Sequence, residues 1–401
     1  MANTWKTLSD GDLVRKALPA FTNALKFIKT INKQYDPTKG RKNGGVLLVK
    51  DPIEFTVRSG ATMNTQDISQ TTQSITMATQ RGIDIDVSSI DHTLSVEDFE
   101  ENVLKNAMVR LAAEVEYIVL SNVYKDVFNF MGTGGSAITT KLAIHNAYAR
   151  LSQGLAPVSD RHLIIDSPNM ATAVNSFATY FHPADEVERA FNDGLVGHAA
   201  GFKWWETNMV PSHTAGTRAT TALCNTSTGI TSGTATIAIT GGGVATFTVG
   251  DVITVGDVYA INRETKNRYT HLQPFVVTAA ATEVAGAVTL SVSPTPVTSG
   301  AKQNVELVSA GASKTVTRTV NGAASSAIIQ PMAYHRDAFT FVTADLYTDP
   351  SQRMTISKKD DISLRLWRSG DIVNDTFPLR FDVLFGYKTL RPEWAARVQG
   401  E

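Results

Sequence analysis

The stretch GDVITVGDVYAI (Gly250 to Ile261), followed by QPFVV (Gln273 to Val277) and VTLSVSPTPV (Val288 to Val297), decides the fold of the middle of this chain. Apolar and polar residues alternate there with period two, and turn residues (Gly, Asp, Pro) cut the runs short, which is the pattern of brief half-buried strands. Working outward, Thr, Ala, Val, Gly and Ser dominate from Ser212 to Ser326, with almost no helical periodicity. That composition predicts an all-β domain of about 110 residues, a small barrel or sandwich.

On both sides of it the character changes. HLIID (His162 to Asp166) and GFKWWETNMVP (Gly201 to Pro211) read as strands before it, and Ala338 to Val342, Leu364 to Trp367 and Phe381 to Leu384 as strands after it. The β-rich stretch therefore interrupts a main domain. Helices are expected over Lys141 to Leu151, Met170 to Tyr180 and Asp185 to Phe191, mixed with strands in no regular alternation, which predicts α+β and not a doubly wound sheet.

The strongest helical signal opens at Ser95. Asp98 stands three residues on, and Glu97, Glu100 and Glu101 lie at the positive end of the dipole. Phe99, Val103, Ala107, Leu111, Val115, Ile118 and Val123 recur at three to five residues, and neither Pro nor Gly intervenes before Phe130. The pattern predicts a strut of about 35 residues, about 50 Å long. Gly132 to Gly135 is expected to end it. Further upstream, Leu13, Ala17, Leu18, Phe21, Leu25 and Ile28 mark an amphipathic arm with Lys on its other face and Pro19 as a break or a start. Val46 to Val57 reads as strand. Ile75 to Met77 and Ile83 to Val87 alternate, with Thr79 to Gly82 as the expected hairpin turn; so thin a ribbon needs a partner surface.

Charge and composition exclude several functions. The 401 residues are 42 % hydrophobic with a net charge of -1, enough for sizeable cores and too little positive charge for a dedicated nucleic-acid binder. Residues 1–50 hold ten basic side chains against three acidic ones, and residues 51–131 hold five against thirteen. Such neighbouring blocks would pair within or between subunits, or be two solvated faces. No apolar run is long enough for a bilayer and no signal core precedes the arm, so a soluble, cytoplasmically made protein is expected. The single cysteine, Cys224, is read as a small semi-buried residue. Asp91-His92 lacks a nucleophile in an elbow motif, the eight histidines show no metal-ligand spacing, and the Gly132 to Ser136 run has no phosphate-loop Lys. No catalytic, cofactor or metal site is expected. Asp84 and Asp86 read as a solvated strand edge. Of Trp204 and Trp205 only one side chain can line a given face, the other entering the core.

Taken with the C-terminal run LRFDVLFGYKTLRPEWAARV (Leu379 to Val398), the β-rich stretch resembles the coat-protein family of short-tailed double-stranded-DNA phages, whose fold is of the Hong Kong ninety-seven type. The similarity follows the chain in order and is tightest at Gly201 to Pro211, Gly250 to Val297 and Gly386 to Pro392. It implies a basic N-terminal arm (1–45), an extended loop (46–93), a spine helix (94–131), a capsid core in two parts (132–211 and 327–401) and an inserted β-domain (212–326). By the same resemblance, arm and loop would reach neighbouring subunits, and the basic cluster Arg263, Lys266 and Arg268 falls in the domain that helps set capsid size. The candidate interface residues are these three with Lys26, Lys29, Lys33, Arg41, Lys42, Gln66, Gln73, Arg81, Asp84 and Asp86. Implied partners are further copies in pentamers and hexamers of an icosahedral shell, a scaffolding protein, a portal, packaged DNA by weak non-specific contact, and a decoration protein. The virion capsid, assembled in the host cytoplasm, would be its location. Where relatives carry a charged loop between capsomers, Asn225 to Phe247 here is neutral, and no full site for Lys to Asn isopeptide bonds is matched. The alternative reading is a β-rich tail-associated protein or adhesin that binds a host glycan through the tryptophans.

Overall fold

The computed structural model describes residues 10–35, 45–63, 65–68, 70–86, 103–177, 197–217, 222–241, 245–309, 311, 313–318, 326–370 and 375–400. The expected Ser95 cap, Phe99, Asp91-His92, the helix at Asp185 to Phe191, Arg41 and Lys42 lie outside them. The chain divides into two compact units: residues 1–50, 72–119 and 339–388, and residues 51–71, 120–338 and 389–401.

In the first unit the arm is two consecutive helices, α1 (Asp10–Ala24) and the short α2 (Phe27–Thr30). Pro19 sits inside α1 and does not end it. The apolar stripe is buried at Val14, Ala17, Leu18, Phe21, Phe27 and Ile28, and α1 packs on the antiparallel strands Arg353–Lys359 and Ile362–Arg368. Phe27 meets Phe339 with ring centroids 5.6 Å apart. Beyond α2 the backbone of Asn32 bonds to Phe339 and Phe341, which fastens the arm to the strand Phe339–Ala344.

Helix α3 runs from Lys105 to Val123, and its residues to Val119 fall in the first unit. Its buried face is Leu104, Met108, Leu111, Ala112, Val115 and Val119, while Val103 is exposed. The stripe therefore follows the true period of 3.6 and lies one position off the sequence reading near its start. Glu116 is buried and accepts the Lys26 backbone N–H at 2.6 Å, joining α3 to the start of α2. The helix is shorter at its end than expected. A 3-10 turn (Tyr124–Asp126) follows Val123, and Phe130–Met131 is a strand.

The expected hairpin turn at Thr79 to Gly82 is also corrected. Strand Thr72–Thr76 pairs with Val46–Lys50, whereas Thr79–Ile85 is a separate strand along Leu379–Thr389, with Gly82 opposite Asp382. A Cβ at Gly82 would stand 2.5 Å from an Asp382 carboxylate oxygen. That buried carboxylate takes Arg365 at 2.6 Å and Arg380 at 3.0 Å, so its negative charge is paired where the strands approach closely.

The second unit holds a mixed six-stranded sheet in the order Phe130–Met131, Ala395–Val398, Met332–His335, Arg161–Ile165, Phe202–Glu206, His198–Ala199. Helices α4 (Lys141–Gln153) and α5 (Ser167–Phe177) cover it, burying Ile144, Ala147, Leu151, Met170 and Ala173 against Leu163, Phe202, Ala333 and Val398. α5 begins earlier than the apolar pattern suggests, because Asp166 accepts the Asn169 backbone N–H at 3.4 Å as an N-cap and Pro168 suits the first turn. The turn at Gly132 follows a strand, not the long helix: its φ is +86°, and a Cβ there would lie 2.2 Å from the Gln399 carbonyl. The run Gly132 to Gly135 thus serves the C-terminal strand.

Between the halves of this sheet the chain makes a closed β-barrel. Strands Arg268–Val277, Ala287–Ser293, Thr236–Thr240, Leu223–Asn225, Ser313–Arg318 and Val252–Ile261 pair in that order, and the last pairs again with the first. Closure removes the sheet edges. Inside lie Cys224, Ile237, Ile239, Phe247, Ile253, Val255, Phe275, Val277, Leu290, Val292 and Val316. Cys224 is fully buried, which pushes its thiol up to about 11. The neutral run Asn225 to Phe247 gives Asn225 and Thr236–Thr240 to barrel strands and Thr246–Phe247 to a short pair with Ala281–Thr282. The chain enters by Ser212–Thr214 and leaves by Ala327–Ile329, and these two segments are themselves an antiparallel pair, Ile328 opposite His213.

Candidate assembly surface

The loop 51–71 is held open by polar bonds and presents apolar side chains. At its base the Asp51 backbone N–H donates to the Thr71 carbonyl (2.9 Å), and the Thr71 hydroxyl donates to the Asp51 carboxylate (2.9 Å). Halfway along, Gln66 replaces a ladder rung: its Oε1 accepts the Thr56 backbone N–H at 2.8 Å and its Nε2 donates to the Thr56 carbonyl at 2.6 Å. At the tip the Arg58 guanidinium donates to the carbonyls of Gly60 and Thr62. Against this frame Phe55, Val57, Met63 and Ile68 are 59, 99, 79 and 70 % exposed. Four large apolar side chains on one ordered excursion form a surface suited to burial against another surface. The alternation rule applied to Val46 to Val57 missed this, because the strand stops at Lys50 and Pro52 denies the ladder a donor.

The other residues singled out by sequence are spread over both units. Lys26 and Lys29 are exposed at and within α2 and Lys33 is half-buried beyond it. With Arg15 and Lys16, also exposed, they share a stretch from Val14 to Tyr35 that contains no acid. Gln73 is half-buried in its strand; Arg81, Asp84 and Asp86 are exposed, with Arg380 3.8 Å from Asp84. The barrel cluster is occupied inside the subunit: Arg263 pairs with Glu393 at 3.2 Å, the Lys266 ammonium donates to the Ala301 carbonyl at 2.6 Å, and Arg268 lies 4.8 Å over the Tyr259 ring. The eleven of these thirteen that are described thus fall in both units.

A polar relay that sequence reasoning did not find is buried where the barrel meets its sheet. The Tyr124 hydroxyl donates to His213 Nδ1 (3.2 Å), which leaves His213 Nε2 to donate to Asp251 (2.9 Å). Burial alone would raise the Asp251 carboxyl, but His213 and the backbone N–H groups of Thr248 and Gly216 hold it below the usual carboxylate range. Arg397 completes the group, donating to the Gly250 carbonyl at 2.8 Å with its guanidinium 5.2 Å over the Tyr124 ring. Burial pushes Arg397 down to about 10. The triad order looks like acid–base machinery, yet all four side chains are buried, so it acts as an internal clamp joining a helix end, the barrel entry strand and the C-terminal strand.

The tryptophans are also committed inward. Trp204 donates to the Ala199 carbonyl at 3.0 Å and is buried; Trp205, half-buried, donates to His162 at 3.1 Å. This pair offers no open platform for a sugar ring. Among the described residues no group of His, Cys, Asp and Glu is gathered to hold a metal ion, and no helix is long and apolar enough to cross a membrane.

A helical arm, an exposed loop, a long helix, a mixed sheet and a closed barrel inserted between its strands together make up the layout of a tailed-phage capsid subunit. Residues 7–399 match the family described as P22 coat protein, gene protein 5, and the chain belongs to that family. Its role is that of a coat protein, a structural component of the shell. Among solved structures it is similar to one from Mycobacterium phage Che8 (13 % identity, 93 % of this chain and 90 % of that one, TM-score 0.49). It is similar also to the mature capsid of bacteriophage PhiM1 (11 %, 88 % and 82 %, TM-score 0.42) and to a virus-like particle from Pyrococcus furiosus (10 %, 97 % and 98 %, TM-score 0.40). No curated protein matches the sequence.

Proposed function

We propose that this coat subunit builds a closed icosahedral shell of pentamers and hexamers around double-stranded DNA, assembling in the host cytoplasm with a scaffolding protein and a portal, and that it has no enzymatic activity. The observation that carries this reading is the loop 51–71, whose large apolar side chains are exposed on a hydrogen-bonded frame. Repeated once per subunit, a contact of modest strength closes rings and then shells through multivalency. The basic outer side of the arm, Arg15, Lys16, Lys26 and Lys29, is the surface for weak, salt-sensitive contact with packaged DNA. Because Arg263 and Lys266 already have partners within the chain, their role is to fix the barrel hairpin, and contacts between capsomers fall to neutral strands or to a decoration protein. Negative-stain electron microscopy of the chain co-expressed with its candidate scaffolding protein tests the proposal. Uniform closed shells support it; small discrete oligomers, with scaffolding bound, overturn it.

A further inference from the structure

Beside the last turn of α4 lies a cavity of about 50 Å³, lined by Arg150, Arg263, Tyr269, His271, Asn304 and Glu393 among others. That is room for about four water-sized groups, the size of a small oxyanion. Its charges do not cancel. Arg263 and Glu393 neutralise each other across 3.2 Å. Arg150 has no such counterpart: its Nη1 is buried without a hydrogen bond. Burial pushes the Arg150 guanidinium down to about 10, and the group that favours its charge is the Tyr269 phenol, not a carboxylate. His271 stacks on Tyr269 with centroids 5.3 Å apart, and burial beside Arg150 pushes it down to about 4, so it adds no second cation near neutral pH. Asn304 is fixed in the wall, donating to the Thr295 carbonyl and accepting the Val297 N–H, both at 2.8 Å. The wall thus offers one uncompensated positive charge and one unused buried donor to a space that holds a small ion.

We propose that this cavity binds one small inorganic oxyanion of the phosphate class, with Arg150 as its charged donor. A guanidinium suits such an ion through its planar fork of donors. The lining comes from α4, from the barrel strands Val252–Ile261 and Arg268–Val277, and from the C-terminal segment at Glu393. A bound ion therefore ties the barrel to the helix beneath it, and its occupancy stiffens that attachment.

The test uses the full chain and inorganic phosphate as probe, against a chloride buffer of equal ionic strength. Calorimetric titration and hydrogen exchange are measured for the native sequence, for Arg150→Met and for Arg150→Lys. Met keeps the apolar stem and removes the buried, unpaired donor; Lys keeps the charge and loses the fork. One saturable phosphate per chain is expected in the native protein, with added exchange protection over residues 147–154 and 259–273. Binding is lost in Arg150→Met and weakened in Arg150→Lys. Equal phosphate binding by the native chain and Arg150→Met, no saturable binding by the native chain, or protection confined to other segments overturns the proposal. Should Arg150→Met fail to fold, undiminished phosphate binding by Arg150→Lys together with no protection over 259–273 does the same.

Discussion

Replacing Val57 and Ile68 together by serine separates assembly from folding. The two side chains are 99 and 70 % exposed in the single chain, so the folded subunit loses almost nothing when they are cut back. Surface changes of this kind shift stability by about 0.5 kcal/mol or less. If the loop docks on a neighbour, the same atoms become buried there. Full burial of a Val or Ile side chain is worth about 1.5 to 3 kcal/mol, and scaling by the exposed fractions gives about 3 kcal/mol for the pair. That loss weakens each loop contact about a hundredfold. With one loop per subunit, the critical concentration for shell formation rises by a similar factor. Light scattering and sedimentation of purified subunits over a concentration series measure it, with thermal unfolding as the control. A double variant that unfolds at the native temperature and assembles at the native concentration refutes the reasoning.

Leu111 is 2 % exposed in the face of α3, and Leu111→Ala leaves a cavity costing about 3 kcal/mol; calorimetry should show a clear fall in melting temperature, and an unchanged one would contradict the packing described. Gly132→Ala forces a Cβ against the Gln399 carbonyl at a positive φ, so the C-terminal strand should lose exchange protection before the rest of its sheet does. His162 is pushed down to about 4, by burial first and then by Lys203, and its Nδ1 accepts the Trp205 N–H. A base depressed in the folded state binds fewer protons than in the unfolded one, so stability falls as pH drops from about 6.5 to about 4. Urea unfolding through that window should show a shallower pH dependence for His162→Gln; an identical slope would remove His162 as a source.

Much of the architecture was legible because burial follows period. Ile237, Ile239, Ile253 and Val255 alternate in sequence and fill one barrel, and Val14, Phe21 and Ile28 mark one helical face. What failed did so where pairing partners are distant. Thr79 to Gly82 has turn-like composition, but its ladder runs to residues some three hundred positions away, and local alternation carries no record of that partner. The end of α3 was missed for the same reason: Phe130 and Met131 are good helix formers by neighbourhood, drawn into strand by Arg397 and Val398. The relay of Tyr124, His213, Asp251 and Arg397 has no sequence spacing at all, since four separate segments meet to make it. The barrel arginine and lysine looked like a surface patch because their partners, Glu393 and a backbone carbonyl, are equally remote.

The pairing of Ser212–Thr214 with Ala327–Ile329 makes the barrel a cassette with both ends on one rung. Cα atoms across such a rung are about 5 Å apart, a gap that a two-residue turn spans. The span between can in principle be exchanged for another folded module without moving the sheet that carries it. The join carries conditions, among them the Arg397 bond to the Gly250 carbonyl and the Arg263 pair with Glu393. His213 sits on the entry strand and donates its Nε2–H to the Asp251 carboxylate inside the cassette, so a replacement must bring its own buried acceptor or change His213 as well. Coat subunits that share this seam can thus differ in the module it carries while the register of the carrier sheet stays fixed.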